Sequence, residues 1–333
     1  MRAHLLLRSG TRWPRSLVAV VCAAAIAGLG LVGAWPGVAV GAPAWVEDTN
    51  VPYQALASAC PVPGAASDTY GDVYRPASPP PGPLPVVVYV HGGAFVGGTR
   101  TAADNEVIAE ELATLGYVTY NIDYCLADPG GTPVAGLPMQ VLDVEDAVRA
   151  VSMPGFDGGR VDVDPGRVAI WGGSAGATLA AEAGVALGDT GSTPVAAVVG
   201  WSGAYDFLDF RGENTQDAKD AEAFLGCDPQ AFPAGSCQSQ AQQGSAALNV
   251  TATTPHMSLW NSTDELVPFA QLQDMVAALN AADIFADPHA LPGTRHSNAY
   301  THEAFCPTVA FLTRYLGPYT GTCIAPPDGS GAD

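Results

Sequence analysis

The sequence predicts an α/β protein built on a mostly parallel, doubly wound sheet with helices on both faces. Short apolar runs rich in β-branched residues, such as 86–90, alternate along the chain with longer segments of helical spacing, such as 102–115. A continuous apolar run of this kind is typical of a strand buried on both faces of a parallel sheet. Hydrophobic residues make up 48% of the chain, which is enough for a large core and excludes global disorder.

Each element follows from its own residue pattern, in chain order. Residues 42–83 are rich in Pro, Gly and Ser and are predicted to be irregular apart from a short strand at 70–74. The other predicted strands are 86–90, 117–123, 168–171, 195–199 and 257–260, and the predicted helices are 102–115, 138–151, 175–187, 269–281 and 304–316. The acidic residues of helix 138–151, Asp143, Glu145 and Asp146, are expected on its wetter faces.

Residues 204–250 interrupt this alternation. Their pattern is polar and irregular, and it includes two cysteines. We interpret the stretch as a small lid-like insertion over the edge of the sheet. Apart from this insertion, residues 42–333 are expected to form a single domain.

Residues 1–41 have the pattern of a secretory signal peptide. Four arginines lie within the first fifteen residues, residues 16–42 carry no charge, and small residues follow at Ala39 and Gly41. A basic start, an apolar middle and a small-residue exit indicate export. We therefore expect a secreted or cell-envelope-associated protein. The uncharged stretch is also long enough to span a bilayer, so an uncleaved membrane anchor is the alternative.

The chain is strongly acidic, with a formal net charge of −20 and a single lysine, Lys219. Removal of residues 1–41 leaves nine basic residues against 33 acidic ones, a net charge of −24. Such a surface repels phosphate backbones and anionic lipid headgroups. The charge therefore argues against nucleic-acid or membrane-surface binding and favours a small-molecule partner.

Six cysteines are left once Cys22 departs with the predicted signal: Cys60, Cys125, Cys227, Cys237, Cys306 and Cys323. An even number in an exported chain suggests three disulfides. The short closures Cys227–Cys237 and Cys306–Cys323 would leave Cys60–Cys125, although about 15 pairings are possible for six cysteines. The sequence holds no Cys-x-x-Cys pair and no HExxH helix, so a zinc site is not indicated, and it holds no phosphate loop.

The catalytic hypothesis starts from Gly172-Gly-Ser-Ala-Gly176, between predicted strand 168–171 and helix 175–187. A G-x-S-x-G sequence in this context predicts a sharp turn that projects the Ser174 hydroxyl from the carboxyl edge of the sheet. The following helix N-terminus favours negative charge that develops nearby. In a chain with 38 glycines the motif alone is a weak signal, so its partners matter.

One partner is the loop His91-Gly-Gly-Ala-Phe95, directly after strand 86–90. Its small residues let backbone N–H groups approach a developing oxyanion. We expect the donors to be the amides of Gly93, Ala94 and Ala175. His91 is expected to brace this loop and not to act as a base.

The other partners are an acid and a base nearer the C-terminus. Asp264 follows strand 257–260 and is expected to orient the base, with the adjacent Glu265 as its rival. His296, in a loop after the last strand-like segment, is the predicted base. His289 and His302 are expected to be structural or exposed.

Together these motifs resemble α/β-hydrolase esterases of the carboxylesterase and hormone-sensitive-lipase-like group. The resemblance covers roughly residues 70–317, and the order Ser174, Asp264, His296 is that of a triad in this fold. The matching segments are 91–95, 123–127, 172–176, 201–206, 264–268 and 293–296. The chain departs from the family at Ala94, where a third glycine is common, and at Cys125, where an arginine is common.

The resemblance implies an α/β-hydrolase fold and a serine esterase or lipase, a carboxylic-ester hydrolase that forms an acyl-enzyme and requires no metal or other cofactor. The predicted signal peptide makes it a secreted one. The acidic body and the neutral oxyanion loop favour neutral esters. Because residues 204–250 contain no long apolar lid helix, short- to medium-chain acyl groups are expected. Two alternatives stay open: a serine peptidase or other acyl-transfer enzyme of the same fold, and a non-catalytic hydrolase-like binding protein. Candidate pocket residues, which could equally be core, are Phe95, Trp171, Tyr205, Phe207 and Phe269.

Overall fold

An eight-stranded sheet forms the centre of the protein in this computed structural model, which describes residues 44–53, 70–127, 136–190, 195–209, 215–227 and 237–329. The strands are β1 (Trp45–Pro52), β2 (Tyr70–Pro76), β3 (Leu84–Val90), β4 (Val118–Ile122), β5 (Val163–Gly173), β6 (Ala197–Trp201), β7 (His256–Ser262) and β8 (Ala286–Leu291). Their spatial order is β1-β2-β4-β3-β5-β6-β7-β8. The β1–β2 and β2–β4 pairs are antiparallel, and all the pairs from β4 to β8 are parallel. The predicted mostly parallel sheet is confirmed.

Helices follow most of the parallel strands. They are α1 (Ala103–Thr114), α2 (Met139–Val151), α3 (Ala175–Thr190), α4 (Thr215–Leu225), α5 (Cys237–Gln243), α6 (Phe269–Ala281) and α7 (Thr301–Leu316). Short 3-10 turns lie at 156–159, 246–248 and 297–300. The helices predicted from hydrophobic spacing are therefore all present, with ends within about three residues of those expected.

The sheet is buried on both faces. In β3, Val86, Val88 and Val90 belong to one core cluster, which also includes residues of α2, α3 and α6. Val87 and Tyr89 belong to a second cluster, with residues of α1 and α7. Successive side chains of a strand point to opposite faces, so a continuous apolar run results when both faces are covered.

The edge strand β1 was not expected from its sequence. It contains Asp48, Asn50 and Pro52, and Val51 is its one buried hydrophobic residue. The strand is held by antiparallel pairing with β2, in a register that places Trp45 opposite Pro76. Because this stabilisation comes from a neighbouring strand, the local pattern of residues 42–83 does not indicate it.

The expectation that helix α2 exposes its acidic residues is wrong. Asp143, Glu145 and Asp146 are all buried. An Asp143 carboxylate oxygen accepts the Cys125 N–H at 2.8 Å, while Glu145 and Asp146 pair with Arg149 at 2.5 and 3.0 Å. Carboxylates can be buried when hydrogen bonds or cations compensate the lost hydration.

The insertion at 204–250 is more regular than its composition suggests. Its described parts contain α4 and α5, where an irregular stretch was expected. Within 219–225, the part of α4 whose burial is described, the buried positions are Ala221, Phe224 and Leu225, at helical spacing. Three apolar positions are too few to stand out in a polar segment. Phe224 stacks on Phe95 with ring centroids 4.5 Å apart, so α4 packs on the loop that follows β3.

Two of the predicted disulfides, Cys227–Cys237 and Cys306–Cys323, are present. The third predicted pair includes Cys60, which lies outside the described residues, as does the predicted signal at 1–41. Residues Pro43–Asp333 constitute one compact unit. Within the part of the chain that the structure describes, no helix has the length and apolar character needed to cross a membrane.

Helix α3 carries a buried acid, Glu182. Its Oε1 atom makes no hydrogen bond within the described residues. Burial raises the pKa of Glu182 to about 8. This carboxyl is therefore mostly protonated at neutral pH, because burial removes the hydration of the charged form and a backbone hydrogen bond with Ala246 compensates only part of that loss.

Candidate active site

Ser174 occupies a tight turn between β5 and α3 and has a φ of 52°. A positive φ at a residue other than glycine is a strained conformation that clusters at functional sites. A Cβ atom at Gly172 would lie 2.1 Å from the Gly176 carbonyl oxygen, and one at Gly176 would lie 2.2 Å from that of Val90. The motif needs glycine at both positions because the backbone packs directly against backbone. The Ser174 N–H is anchored to the Trp201 carbonyl at 2.7 Å.

His296 joins Ser174 to a carboxylate. Its Nε2 atom lies 2.8 Å from the Ser174 Oγ, and its Nδ1 atom is hydrogen-bonded to the carboxylate of Glu265. The structure thus brings together the serine and the histidine that the sequence predicts. The imidazole has one nitrogen against the hydroxyl and the other against an anion, the arrangement that a general base requires.

The acid in contact with His296 is Glu265, and the expectation that Asp264 occupies this position is wrong. The Asp264 carboxylate accepts a hydrogen bond from Thr263 Oγ1 at 2.7 Å, and the residue is exposed. The Glu265 side chain, by contrast, is fully buried.

The turn after β7 explains the choice between the two acids. Asp264 lies at the outer side of this turn, where its N–H donates to the Gly293 carbonyl at 2.9 Å. Glu265 is directed inward, and its Oε1 atom accepts the Ser262 N–H at 2.7 Å. The longer glutamate side chain reaches back along the turn to the strand end and to His296. Spacing in the sequence cannot distinguish neighbouring acids, because side-chain direction depends on the turn.

Ser202 is a buried residue of the site that the sequence reasoning missed. It follows β6 with a φ of 58°, and its hydroxyl donates to Glu265 Oε1 at 2.9 Å. The Ser202 Oγ atom also accepts the N–H of Ser297, the residue after His296, at 2.9 Å, and lies 2.8 Å from the Tyr300 hydroxyl. Burial raises the pKa of Tyr300, so this hydroxyl stays protonated. Ser202 therefore connects the acid to the backbone that carries the histidine.

The loop after β3, which the sequence predicts to supply oxyanion donors, contains three consecutive residues with positive φ. Gly93, Ala94 and Phe95 have φ values of 122°, 52° and 66°. Among the described residues, the amides of Gly93, Ala94 and Ala175 donate no hydrogen bond to the protein. The left-handed conformation at Ala94 accounts for the glycine that is common there in the resembling family, because glycine adopts it without steric cost.

A buried ion-pair cluster anchors the far end of this loop. The Arg100 Nε lies 2.9 Å from an Asp72 oxygen, and its guanidinium also contacts Asp123. The Arg100 N–H donates to the other Asp123 oxygen at 2.7 Å. These interactions were missed, since no local pattern indicates which loop residue meets two carboxylates from other elements.

His91 anchors the near end of the loop. Its Nδ1 lies 2.6 Å from the Gly92 carbonyl oxygen, its Nε2 lies 3.7 Å from Asp123, and its ring stacks on Tyr124. Burial lowers the pKa of His91, which favours the neutral imidazole. These contacts match the expected bracing role.

The other predicted candidates make contacts of a structural kind. His289 stacks on Trp260 at 3.8 Å and lies 3.1 Å from Asp287. Trp171, Tyr205 and Phe207 are fully buried in the two core clusters, so they belong to the core. No group of three or more His, Cys, Asp or Glu side chains in the described ranges is placed to hold a metal ion.

A serine, a histidine and a carboxylate at the carboxyl edge of this sheet define the α/β-hydrolase class. A family model described as BD-FAE matches residues 72–279. The chain therefore belongs to the BD-FAE family, which is α/β-hydrolase-like.

Two relatives from Mycobacterium tuberculosis (strain ATCC 25618 / H37Rv) are similar over part of the chain. Esterase LipC is 35% identical over 149 residues, 41% of this chain and 34% of LipC. Esterase LipI is 32% identical over 128 residues, 38% of this chain and 37% of LipI. The chain thus spans about a third of the length of each of these curated relatives.

Solved structures share the fold. A truncated carbohydrate esterase from gut microbiota has a TM-score of 0.66 at 21% identity, covering 83% of this chain and 98% of that one. A bacterial heroin esterase has a TM-score of 0.61 at 21% identity, covering 82% and 83%. An acetyl ester-xyloside bifunctional hydrolase from Caldicellulosiruptor lactoaceticus has a TM-score of 0.62 at 19% identity, covering 81% and 97%.

Proposed function

We propose that this protein is a serine carboxylic-ester hydrolase in which Ser174 is the nucleophile, His296 the base and Glu265 the orienting acid. The observation that carries the proposal is the His296 ring, with one nitrogen 2.8 Å from the Ser174 hydroxyl and the other on the buried Glu265 carboxylate. The similarity to esterases LipC and LipI supports the same reaction class.

Acylation follows from this geometry. His296 removes the proton from the Ser174 hydroxyl as its oxygen attacks the ester carbonyl carbon, and Glu265 stabilises the resulting imidazolium. The negative charge on the carbonyl oxygen is stabilised by the unpaired amides of Gly93, Ala94 and Ala175. When the tetrahedral intermediate collapses, the C–O bond to the alcohol breaks and His296 returns the proton to the leaving alkoxide.

Deacylation repeats the same steps with water. His296 removes a proton from a water molecule, whose oxygen attacks the carbonyl carbon of the Ser174 acyl ester. The acid is released, and the proton returns to the Ser174 oxygen. One ester and one water therefore yield one acid and one alcohol, and no step draws on a metal or another cofactor.

The proposed substrates are neutral esters with short- to medium-chain acyl groups. The body of the chain, with a net charge of −24 and one lysine, offers little attraction to an anion. Structural neighbours include proteins described as acting on carbohydrate and acetyl ester-xyloside substrates. A series of p-nitrophenyl esters of increasing chain length measures the preference. If an anionic ester such as mono-p-nitrophenyl succinate were turned over faster than the butyrate at low salt, the proposed neutrality would be wrong.

We further propose that the protein is exported and that residues 1–41 are its signal. The disulfides Cys227–Cys237 and Cys306–Cys323 support this location, because disulfides persist in oxidising compartments. The protein should be recovered from the culture medium, and sequencing of its N-terminus should begin near residue 42; the cell-envelope fraction is sequenced in parallel. A start at Met1 would contradict cleavage and favour the anchor.

The central test replaces Ser174 with Ala. Hydrolysis of p-nitrophenyl acetate should disappear, while Ser258→Ala, which alters another buried serine, should retain wild-type turnover. A fluorophosphonate probe should label the wild-type protein on Ser174, located by peptide mass spectrometry. Turnover by Ser174→Ala, or a wild-type protein without an adduct, would contradict the proposal, and the second result would favour a binding protein.

A further inference from the structure

We propose that the segment after α7, residues 318–329, is part of the catalytic apparatus, with Asp328 and Gly329 as positioning residues for the loop that carries His296. We call this segment the C-terminal strap. The proposal rests on the proposed esterase function. It adds that activity also depends on residues that follow Ser174, Glu265 and His296 in the chain.

The strap is anchored before it reaches the site. It leaves α7 after Gly317, and the Thr320 N–H donates to the Leu115 carbonyl at 2.7 Å. Cys323 then forms a disulfide with Cys306 of α7. Tyr319, Cys323 and Ala325 pack against the core cluster on the α1 and α7 face of the sheet. The strap therefore has a defined path along the body of the protein.

Asp328 contacts both ends of the histidine loop, with a hydrogen bond at one end and a longer charge contact at the other, where Arg295 also pairs with Glu303. One of the Asp328 oxygens accepts the His302 N–H, in the first turn of α7, at 2.7 Å. The other lies 3.9 Å from Arg295, the residue before His296. Helix α7 has no side-chain cap from its own N-terminal residue, Tyr300. Asp328 supplies an acceptor and a negative charge at that helix end, and both stabilise a helix N-terminus.

Gly329 fits tightly against the middle of the same loop. Its N–H donates to the Asn298 carbonyl at 2.7 Å. A Cβ atom at this position would lie 2.8 Å from the Asn298 Cβ and 2.9 Å from the Asp104 Cβ. Because real Cβ atoms essentially never approach so closely, any larger residue would push the strap away from the loop.

The opposite side of the loop is held by the body of the protein. The Asn298 amide donates to Asn105 of α1 at 3.0 Å, and the Tyr89 hydroxyl of β3 lies 3.4 Å from the Asn298 amide oxygen. Ser297 has a φ of 47°, a strained conformation that persists when its surroundings enforce it. The loop is thus fixed between the strap and the sheet. Small displacements of a reacting group, of about 1 Å, can reduce rates by around a hundredfold.

The test compares four chains with the wild type: one ended after Ala325, Asp328→Ala, Asp328→Asn and Gly329→Ala. Ending the chain after Ala325 keeps the disulfide and removes the contacts to the loop, so kcat should fall by about ten- to a hundredfold with KM within about twofold. Asp328→Ala and Gly329→Ala should each lower kcat by about three- to tenfold. Asp328→Asn retains an oxygen that accepts the His302 N–H, so its kcat should be closer to that of the wild type than to that of Asp328→Ala. Met153→Ala, at a 65% exposed position outside the strap, is the matched control and should keep the wild-type kcat.

Each assay is run at a temperature where circular dichroism shows the variant fully folded. The rate of fluorophosphonate labelling at Ser174 gives a second readout, which should fall in parallel with kcat. Wild-type kcat in the chain ended after Ala325, or a loss that vanishes on cooling along with the unfolded fraction, would overturn the strap proposal and leave the esterase function intact. A wild-type protein without ester turnover would instead overturn the proposed function itself.

Discussion

Glu265 contacts Nδ1 of His296 with one carboxylate oxygen and uses the other to accept hydrogen bonds from the Ser202 hydroxyl and the Ser262 amide. Both oxygens are thus committed, so the carboxylate is held in one orientation against the imidazole. The neighbouring Asp264 is exposed and bonded to Thr263. This difference between two adjacent acids leads directly to a paired test.

Replacing Glu265 with Gln should lower kcat/KM for p-nitrophenyl acetate by about 10²- to 10⁴-fold, because an amide cannot stabilise the imidazolium and favours the wrong tautomer. Asp264→Asn should remain within about twofold of the wild type. Steady-state kinetics on the two purified variants measures this contrast. If Asp264→Asn lost more activity than Glu265→Gln, Asp264 and not Glu265 would be the orienting acid.

Replacing Ser202 with Ala should lower kcat by about five- to fiftyfold and leave KM nearly unchanged. The change removes a hydrogen bond to the Glu265 carboxylate and the acceptor for the Ser297 N–H, so both the acid and the histidine backbone lose a constraint. A fall of about five- to fiftyfold corresponds to about 1–2.3 kcal/mol. Hydrogen bonds to charged groups contribute about 1.5–3 kcal/mol, so the prediction is that most of one such bond is lost. Ser258→Ala is the control, and equal kinetics of the two variants would rule out a positioning role for Ser202.

Replacing Arg100 with Met should lower the free energy of unfolding by about 3–5 kcal/mol, because the buried carboxylates of Asp72 and Asp123 lose their cation. The oxyanion loop would also lose its anchor, so kcat should fall more than tenfold. Urea unfolding measures the stability change. In the Arg100→Met background, Asp123→Asn should restore part of the lost free energy of unfolding. The control is Arg314→Met, at an exposed position, which should change the free energy of unfolding by less than about 1 kcal/mol. An additive double variant would show that the two groups do not interact.

Glu182 should make stability depend on pH. The pKa of Glu182 is raised in the folded state to about 8, from about 4.5 in the unfolded chain. The contribution of this group to the free energy of unfolding is therefore fully present below pH 4.5 and is lost as the pH rises through about 8. Relative to Glu182→Gln, the wild type should lose on the order of 3 kcal/mol of unfolding free energy between pH 5 and pH 9. Urea unfolding of both chains across this range measures the difference. A difference that does not vary with pH would show that Glu182 titrates normally.

Much of the fold is predictable from short stretches of sequence. The run at 86–90 is apolar at every position, which requires cover on both faces, and α1 and α6 show the spacing of a half-buried helix. The strands and helices that escaped prediction are β1, α4 and α5. Their residues are polar, and they are stabilised mainly by neighbouring elements, namely β2 for β1 and the Phe95 ring for α4.

The sequence by itself determined the doubly wound sheet, the turn at Ser174 and the choice of His296, because these depend on local requirements: periodic burial, glycine at close backbone contacts, and a histidine after the last strand. Tertiary structure alone decided that Glu265 and not Asp264 meets the histidine, that Ser202 bonds to this acid, and that Arg100 anchors the loop after β3. The direction of a side chain leaving a turn is set by packing between elements that are distant in sequence. No local pattern records such contacts, so they become visible only when the chain is folded.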